Sequence, residues 1–464
     1  MTEISTLKAA HTRSSVTGNA TLNLFDVPDT DVSIAGYRMV PIQPFTTGIN
    51  PVVFQIDGQS DYIDLSRSYF ELETSLKKAG GGNLVAAEGT YPANNLAHTM
   101  FKQIIVKFNN VLMSPSTDTY HYKAMIETLL NHDRDDGETI LKPQGWYNGI
   151  DCPAELTANN VDSATPHGDY TALPATQKET VLAMQQEILR HTGGKTAIMR
   201  FKPNLEVFNL NKAIVPGVQI DISMYFNSPD VFLNGHTEAG RLQADDVKVR
   251  FYLCTLRLNP SVYLKLEKEM KGDVPVTYPT VRSEIRTFTL PSTQRRFEAN
   301  NLFFGRVPNR VVVGIVLSSA FTGTLDKDPF AFQKFGITSI KQTINNEEYP
   351  YETLEVNHNN DQLDMRGYFR FLQATGALCR SKGNMVRASE WGRGHNKTLW
   401  VFDNAANGCL DSPVFNPKLS GEVRLQMTFG GNFPAEVTVI VYGEFENAIE
   451  INEDKSVIYD IYER

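Results

Sequence analysis

From Tyr37 onward the chain is a succession of short runs in which apolar and polar residues alternate, separated by Gly, Pro, Asn and Asp. In Val218-Gln219-Ile220-Asp221-Ile222-Ser223-Met224-Tyr225-Phe226 the five apolar residues Val218, Ile220, Ile222, Met224 and Phe226 share one parity. Val247-Lys248-Val249-Arg250-Phe251-Tyr252-Leu253 and Tyr69-Phe70-Glu71-Leu72-Glu73 repeat the pattern. Side chains on a strand point alternately to its two faces, so a period of two in β-branched and aromatic residues predicts half-buried strands. Many such strands in succession predict β-sandwiches or barrels. Only three segments show helical spacing. Residues 119–131 place Tyr122, Met125, Ile126, Leu129 and Leu130 three and four apart; residues 361–375 do so with Leu363, Tyr368, Phe371 and Leu372; residues 260–270 open on Pro260 and stop before Gly272. Polar insertions are expected at 80–95 and 133–195, the second a surface excursion with its own helix at 177–190.

The pattern occurs twice. Val218–Met224 is followed by Asn227-Ser228-Pro229, and 205 positions later Val423-Arg424-Leu425-Gln426-Met427-Thr428-Phe429 is followed by Asn432-Phe433-Pro434. Asp246-Val247-Lys248-Val249 is answered by Glu436-Val437-Thr438-Val439. A strand ending in Asn109-Asn110 precedes a Pro and a Tyr-bearing helix; one ending in Asn345-Asn346 precedes Pro350 and an aromatic helix. A unit of about 200 residues is too long for a solenoid or propeller repeat, so the expectation is two copies of one sandwich, joined near 259–273.

Composition narrows the functional classes. The 464 residues are 41% hydrophobic and 21% charged, enough for a packed core. Length alone would allow two or three domains; the repeat selects two. Forty-four Lys and Arg against 53 Asp and Glu leave a net charge of −9, unsuited to wrapping nucleic acid or coating an anionic membrane. The four cysteines, Cys152, Cys254, Cys379 and Cys409, form no CxxC pair, so neither a zinc site nor a disulfide framework is expected. The first 25 residues lack an apolar signal core, and no apolar run approaches membrane-spanning length, so the chain reads as a cytosolic one.

Candidate chemistry is thin. His132-Asp133-Arg134-Asp135-Asp136 has the residue types of an acid–base or metal cluster but sits where a helix enters a polar loop. Gly80-Gly81-Gly82 lacks the GK[ST] and helix of a phosphate loop. Gly392-Arg393-Gly394-His395, near Trp391 and Lys397, reads as an inter-strand loop; Arg295-Arg296 and Lys77-Lys78 read as isolated surface charge; the sequons at Asn19 and Asn396 matter only on secretion. No nucleophile-elbow, zincin or Cys/His signature occurs. No catalytic, cofactor-binding or metal-binding residues are therefore assigned, and no cofactor is expected. What stands out is scaffold, which points to an assembly subunit.

Asp57-Gly58-Gln59-Ser60-Asp61-Tyr62-Ile63-Asp64-Leu65 running into Ser68-Tyr69-Phe70-Glu71-Leu72 resembles the opening strands of double jelly-roll major capsid proteins of the adenovirus/Polinton (Maverick, adinto-like virus) lineage. Asn94-Asn95-Leu96-Ala97-His98-Thr99-Met100-Phe101 and Tyr120-His121-Tyr122-Lys123-Ala124-Met125 resemble its next blocks, so that about residues 50–132 match closely. The second half is similar by pattern, at Asp328-Pro329-Phe330 and over 361–372. The resemblance implies an all-β chain of two fused eight-stranded jelly rolls with short helices and long loops. The expected layout is a flexible arm at 1–36, a first roll at 37–259, a connecting helix at 260–273, a second roll at 274–450 and a tail at 451–464. It implies a non-enzymatic viral capsid subunit, a homotrimer forming a pseudo-hexameric capsomer that tiles an icosahedral shell. Its partners would be neighbouring capsomers and penton and minor or cement proteins, without strong nucleic-acid binding or a transmembrane segment. It would be made in the host cytoplasm, assembled there or in the nucleus, and located in the virion. Two alternatives are a double jelly-roll amidase acting on N-linked glycans, with acidic residues between the rolls, and a carbohydrate- or receptor-binding spike using Trp146, Tyr147 and Trp391.

Overall fold

The computed structural model describes residues 24–459 except 26, 47, 49, 79, 86–89, 116, 149–185, 188, 235–239, 242–245, 273, 357–364, 381–382, 389, 392–395 and 407–415. Two successive sets of eight strands dominate it. The first set is β1 (Ile34–Ile42), β2 (Val52–Ile56), β3 (Tyr62–Thr74), β4 (Phe101–Phe108), β5 (Val111–Leu112), β6 (Ala197–Phe201), β7 (Ile220–Phe226) and β8 (Val247–Leu258). The second is β9 (Val276–Leu290), β10 (Arg296–Ala299), β11 (Arg310–Leu317), β12 (Ile337–Ile344), β13 (Glu347–Glu348), β14 (Leu399–Asp403), β15 (Val423–Phe429) and β16 (Val437–Ile451). Strand order in the first set is β1-β8-β3-β6 facing β2-β7-β4-β5. In the second it is β9-β16-β11-β14 facing β10-β15-β12-β13, each neighbour displaced by eight strands from the first. All pairings within these sheets are antiparallel. Two sandwiches with this shared connectivity are a double jelly roll.

The strands follow from the alternation. Ile220, Ile222, Met224 and Phe226 of β7 are buried while Asp221, Ser223 and Tyr225 are half-exposed; Val423, Leu425, Met427 and Phe429 of β15 repeat this. The Asn pairs have a backbone reason. Asn109, Asn110, Asn345 and Asn346 all adopt positive φ, between 44° and 69°. Asn tolerates this left-handed region, and a two-residue hairpin needs it twice to match strand twist. Each first Asn also ties the neighbouring strand: Asn109 Oδ1 accepts from Gln219 N at 2.8 Å, and Asn345 Oδ1 accepts from Glu422 N at 3.0 Å. These equivalent bonds place the β15 counterpart of β7 two residues earlier than the offset of 205 does. A slip of two leaves every side chain on its own face, so the sequence pattern survives it. For β8 and β16 the sequence alignment holds residue for residue: Ser75 N donates to Asp246 O and Ser318 N to Glu436 O.

Helices α1 (Tyr120–Asn131), α2 (Pro260–Met270) and α3 (Arg366–Ala374) lie where helical spacing predicts them, although 361–364 fall outside the described residues. The exposed α2, capped by Asn259 with Pro260 in its first turn, bridges β8 to β9. Two expectations need correction. The first strand begins at Ile34, inside the span expected as arm, and most of that arm lies outside the described residues. The insertion at 133–195 does not begin as a surface excursion: over 133–148 Leu141, Trp146 and Tyr147 are buried, Leu141 and Trp146 because they pack in one cluster with Tyr122, Met125 and Ile126 of α1. The helix expected at 177–190 is described only from 186.

The core has two lobes, and each roll contributes to the other's. Phe54, Phe70 and Phe251 anchor the first, with Phe70 and Phe251 stacked at 4.5 Å; Tyr278, Ile449 and Ile451 from the long strands β9 and β16 join it. In return α1 inserts Tyr122, Met125, Ile126 and Leu129 into the second lobe.

Candidate functional site

The structure disperses the chemistry flagged in the sequence. Asp133 caps a short helix (Arg134–Glu138): its side chain accepts from Asp136 N at 2.8 Å, and Asp136 reaches back to Asp133 N. His132 Nδ1 lies 3.1 Å from Asp136 Oδ2. This cluster is a capping box, which satisfies orphan amides at a helix start. Trp146, Tyr147 and Trp391 are buried, which removes them as sugar-stacking tips. Arg295 Nε donates to Asn432 Oδ1 at 3.2 Å, and Lys77 pairs with Asp246. Residues 392–395 lie outside the described residues, as do Cys152 and Cys409; Cys254 is a buried free thiol. Among the described residues no group of three or more His, Cys, Asp or Glu could hold a metal ion.

A polar cluster that the sequence does not announce lies where α1 meets the second roll. Lys123 Nζ pairs with Glu206 Oε1 at 2.6 Å and Glu127 Oε1 at 3.7 Å. Ser283 Oγ donates to the same Glu206 oxygen at 2.7 Å, while Glu206 Oε2 has no partner. Tyr442 OH lies 2.9 Å from Glu127 Oε1 and 2.8 Å from Glu444 Oε1, and Arg310 Nη2 lies 2.6 Å from Glu444 Oε1. Three carboxylates thus face two cations. Burial pushes Glu127 up to about 7, against the lowering pull of Lys123 and with help from Glu206 and Glu444. Burial would lower Lys123, but Glu127 and Glu206 hold it above its ordinary value. The cluster therefore keeps one proton near neutrality and stitches α1, β9, β11 and β16 together. Sequence separation hides it: Glu127 and Tyr442, in hydrogen-bond contact, lie 315 residues apart.

The outer faces of the two equivalent sheets differ. On β9-β16-β11-β14 the outward residues Val312, Leu399, Ile440 and Tyr442 are buried beneath α1 and its surroundings. Tyr122 stacks on Phe321 at 5.2 Å and donates to Pro329 O at 3.0 Å, and the Phe332 ring covers Gly314. On β1-β8-β3-β6 the outward residues form an open polar array. Tyr69 and Tyr252 stack at 5.0 Å with Arg200 over both rings. Glu71 receives Arg200 at 2.8 Å and Arg250 at 3.3 Å.

The fold is that of double jelly-roll major capsid proteins. The chain superposes on the Sputnik virophage structure with a TM-score of 0.58 at 11% identity, covering 98% of this chain and 95% of that one. The PBCV-1 virus capsid gives 0.55 at 11% identity, covering 94% and 99%. The mavirus major capsid protein gives 0.53 at 10% identity, covering 99% and 97%. An uncharacterised protein of Caenorhabditis elegans is 19% identical over 415 residues, 87% of this chain and 91% of its own length. No protein-family model matches the chain.

Proposed function

We propose that the protein is the major capsid subunit of a virus or virus-derived element of the Polinton type, acting by assembly and without catalysis. The observation that carries this reading is the pair of rolls with one connectivity, spanning nearly the whole chain as in the Sputnik virophage and PBCV-1 capsid structures. A chain with two like rolls can build a three-fold capsomer with six similar edges, and closed symmetry of this kind lets one gene product tile a shell. The rolls are assigned to about 34–259 and 274–451, with the arms at either end ordering against neighbouring capsomers, penton or cement proteins. The virion is its place, and its acidic surface limits premature association. Light scattering coupled to size exclusion, followed by negative-stain microscopy, tests this: trimers and hexagonal tiles are expected. A strict monomer that releases glycans from glycopeptides would instead support the amidase alternative. The inter-roll carboxylates Glu127, Glu206 and Glu444 argue against that alternative, because they are largely buried and each already has a partner among Lys123, Ser283, Tyr442 and Arg310.

A further inference from the structure

We propose that the open outer face of β1-β8-β3-β6 in the first roll is the docking surface for the α3 side of the second roll in another copy of this chain. The inference rests on the capsid-subunit reading and adds the surfaces to it. It comes from an interface already present inside the chain. Each roll closes one end of its own sandwich with the helix that follows the Asn-Asn hairpin. In the first roll Tyr120 and Ala124 of α1 face the home core, and Tyr122, Met125, Ile126 and Leu129 cover the outer face of the next roll's sheet. In the second roll Phe371 and Ala374 of α3 face the home core, while Phe369 stands 56% exposed. Among the described residues, one half of this head-to-tail contact is thus left unused on each roll: a helix side on the second and a sheet face on the first. Heterologous contacts of this type must close into a ring or run on as a filament.

The two unused surfaces have the chemistry of partners. Cations are prominent on the sheet face: the side chains of Lys248, Arg200 and Arg250 are 61, 57 and 41% exposed. Before α3, Glu347, Glu352 and Glu355 are exposed, Glu352 lying 3.8 Å from Arg370 of α3, which also carries Arg366. Opposite charge steers such surfaces together and fixes their register. Stacked Tyr69 and Tyr252 beneath Arg200 are residue types enriched in interface hot spots, and Ile198, 66% exposed on the edge strand β6, is an apolar contact beside them. The match with the internal interface extends to one residue. Tyr252 occupies on β8 the register position that Tyr442 holds on β16, where its hydroxyl meets Glu127 of α1.

The experiment uses the full chain with a benzophenone amino acid at position 198, irradiated in the assembled state and mapped by mass spectrometry. Cross-links are expected between position 198 of one copy and residues 347–356 or 365–373 of another. Ile198→Glu and Phe369→Glu, each at an exposed site, are expected to weaken self-association at least tenfold while leaving the thermal midpoint of the dissociated protein unchanged. Cross-links to another segment, or variants that assemble like the wild type, would overturn the proposed surfaces while leaving the capsid reading standing. A wild-type chain that never associates would overturn the capsid reading and this inference together.

Discussion

The outward strand positions of the two rolls have opposite character although their sheets share one connectivity. At the register position of Glu71 in the first roll the second has Gly314; opposite Arg200 it has Leu399, opposite Arg250 it has Ile440, and opposite Tyr69 it has Val312. Tyrosine alone is kept, as Tyr252 and Tyr442. The inward residues Phe70, Leu72, Val249 and Phe251 are answered by Val313, Ile315, Val439 and Val441, apolar and buried in both. The fold is therefore specified by the inward set, and the outward set decides which roll is covered by the chain itself and which is left for something else. A central strand buried on both faces reads as a continuous apolar run, which is what Arg-Val-Val-Val-Gly-Ile-Val-Leu of β11 is, all eight residues buried.

The largest effect should come from uncovering the second roll. Tyr122→Ala removes a stacked ring and a buried hydrogen bond, and aromatic truncations in cores cost about 3–5 kcal/mol. Urea unfolding followed by tryptophan fluorescence measures this directly; a loss below 1 kcal/mol would mean that α1 does not hold the rolls together. Next is Gly314→Ala. A Cβ there would lie 2.6 and 2.9 Å from the Phe332 ring and 3.1 Å from Leu399, so the close approach requires glycine, and overpacking costs about 1–3 kcal/mol. Glu71→Ala at the matching position of the open face should cost clearly less, because its ion pairs are partly solvated.

Glu127→Gln tests the charge cluster through pH. The Glu127 carboxyl titrates at about 7 when folded, against an ordinary value of 4.5. Between those values the folded chain holds a proton that the unfolded chain has released, so stability falls as pH rises through this window and the loss is complete above 7. Glutamine cannot titrate. Wild type minus Glu127→Gln should therefore lose on the order of 2 kcal/mol between pH 5 and pH 8, read as a difference in urea midpoints. Buried neutral His98 and His121, held down by burial to about 4 and about 3, act in the opposite direction. They weaken the fold as pH falls below 6.5, equally in both proteins, so they cancel in the difference. A flat difference would show that Glu127 is ionised throughout.

Much of the double roll was legible because side-chain alternation and Asn-Asn hairpins are local signals. Val218–Phe226 and Val423–Phe429 declare their faces from sequence alone, and Asn109-Asn110 declares its turn. The inter-roll cluster was not legible. Lys123 sits on a helix whose spacing marks it as amphipathic, yet Lys123 is buried, and its partners Glu206 and Glu444 are brought to it only by tertiary packing. Trp146 and Trp391 misled for the converse reason: loop-like flanks suggested exposed tips, while the gap beside α1 and the indole of Trp400, 5.0 Å from Trp391, draw both rings inside. The open face was invisible for a third reason, since Lys248 and Arg250 on β8 look like any solvated strand side until the second roll shows the same face covered.

The smallest and most discriminating change is removal of one hydroxyl from each of the paired tyrosines. Tyr442 is buried and meets both Glu127 and Glu444, and burial raises its hydroxyl well above the usual tyrosine range, so it stays a neutral donor. Tyr442→Phe removes the one hydroxyl hydrogen that lies between Glu127 and Glu444 and should cost about 1–2 kcal/mol, near the range for hydrogen bonds to charged groups. Tyr252 is only half-buried, and its single contact of this kind is a long one, 3.4 Å to Glu71 Oε1. Water can replace that contact, so Tyr252→Phe should change the stability of the dissociated chain by less than about 0.5 kcal/mol. Equal costs for the two would mean that the first roll's face is covered within the chain after all. Unequal costs in the dissociated chain that converge on assembly would show a second copy closing over Tyr252 as α1 closes over Tyr442.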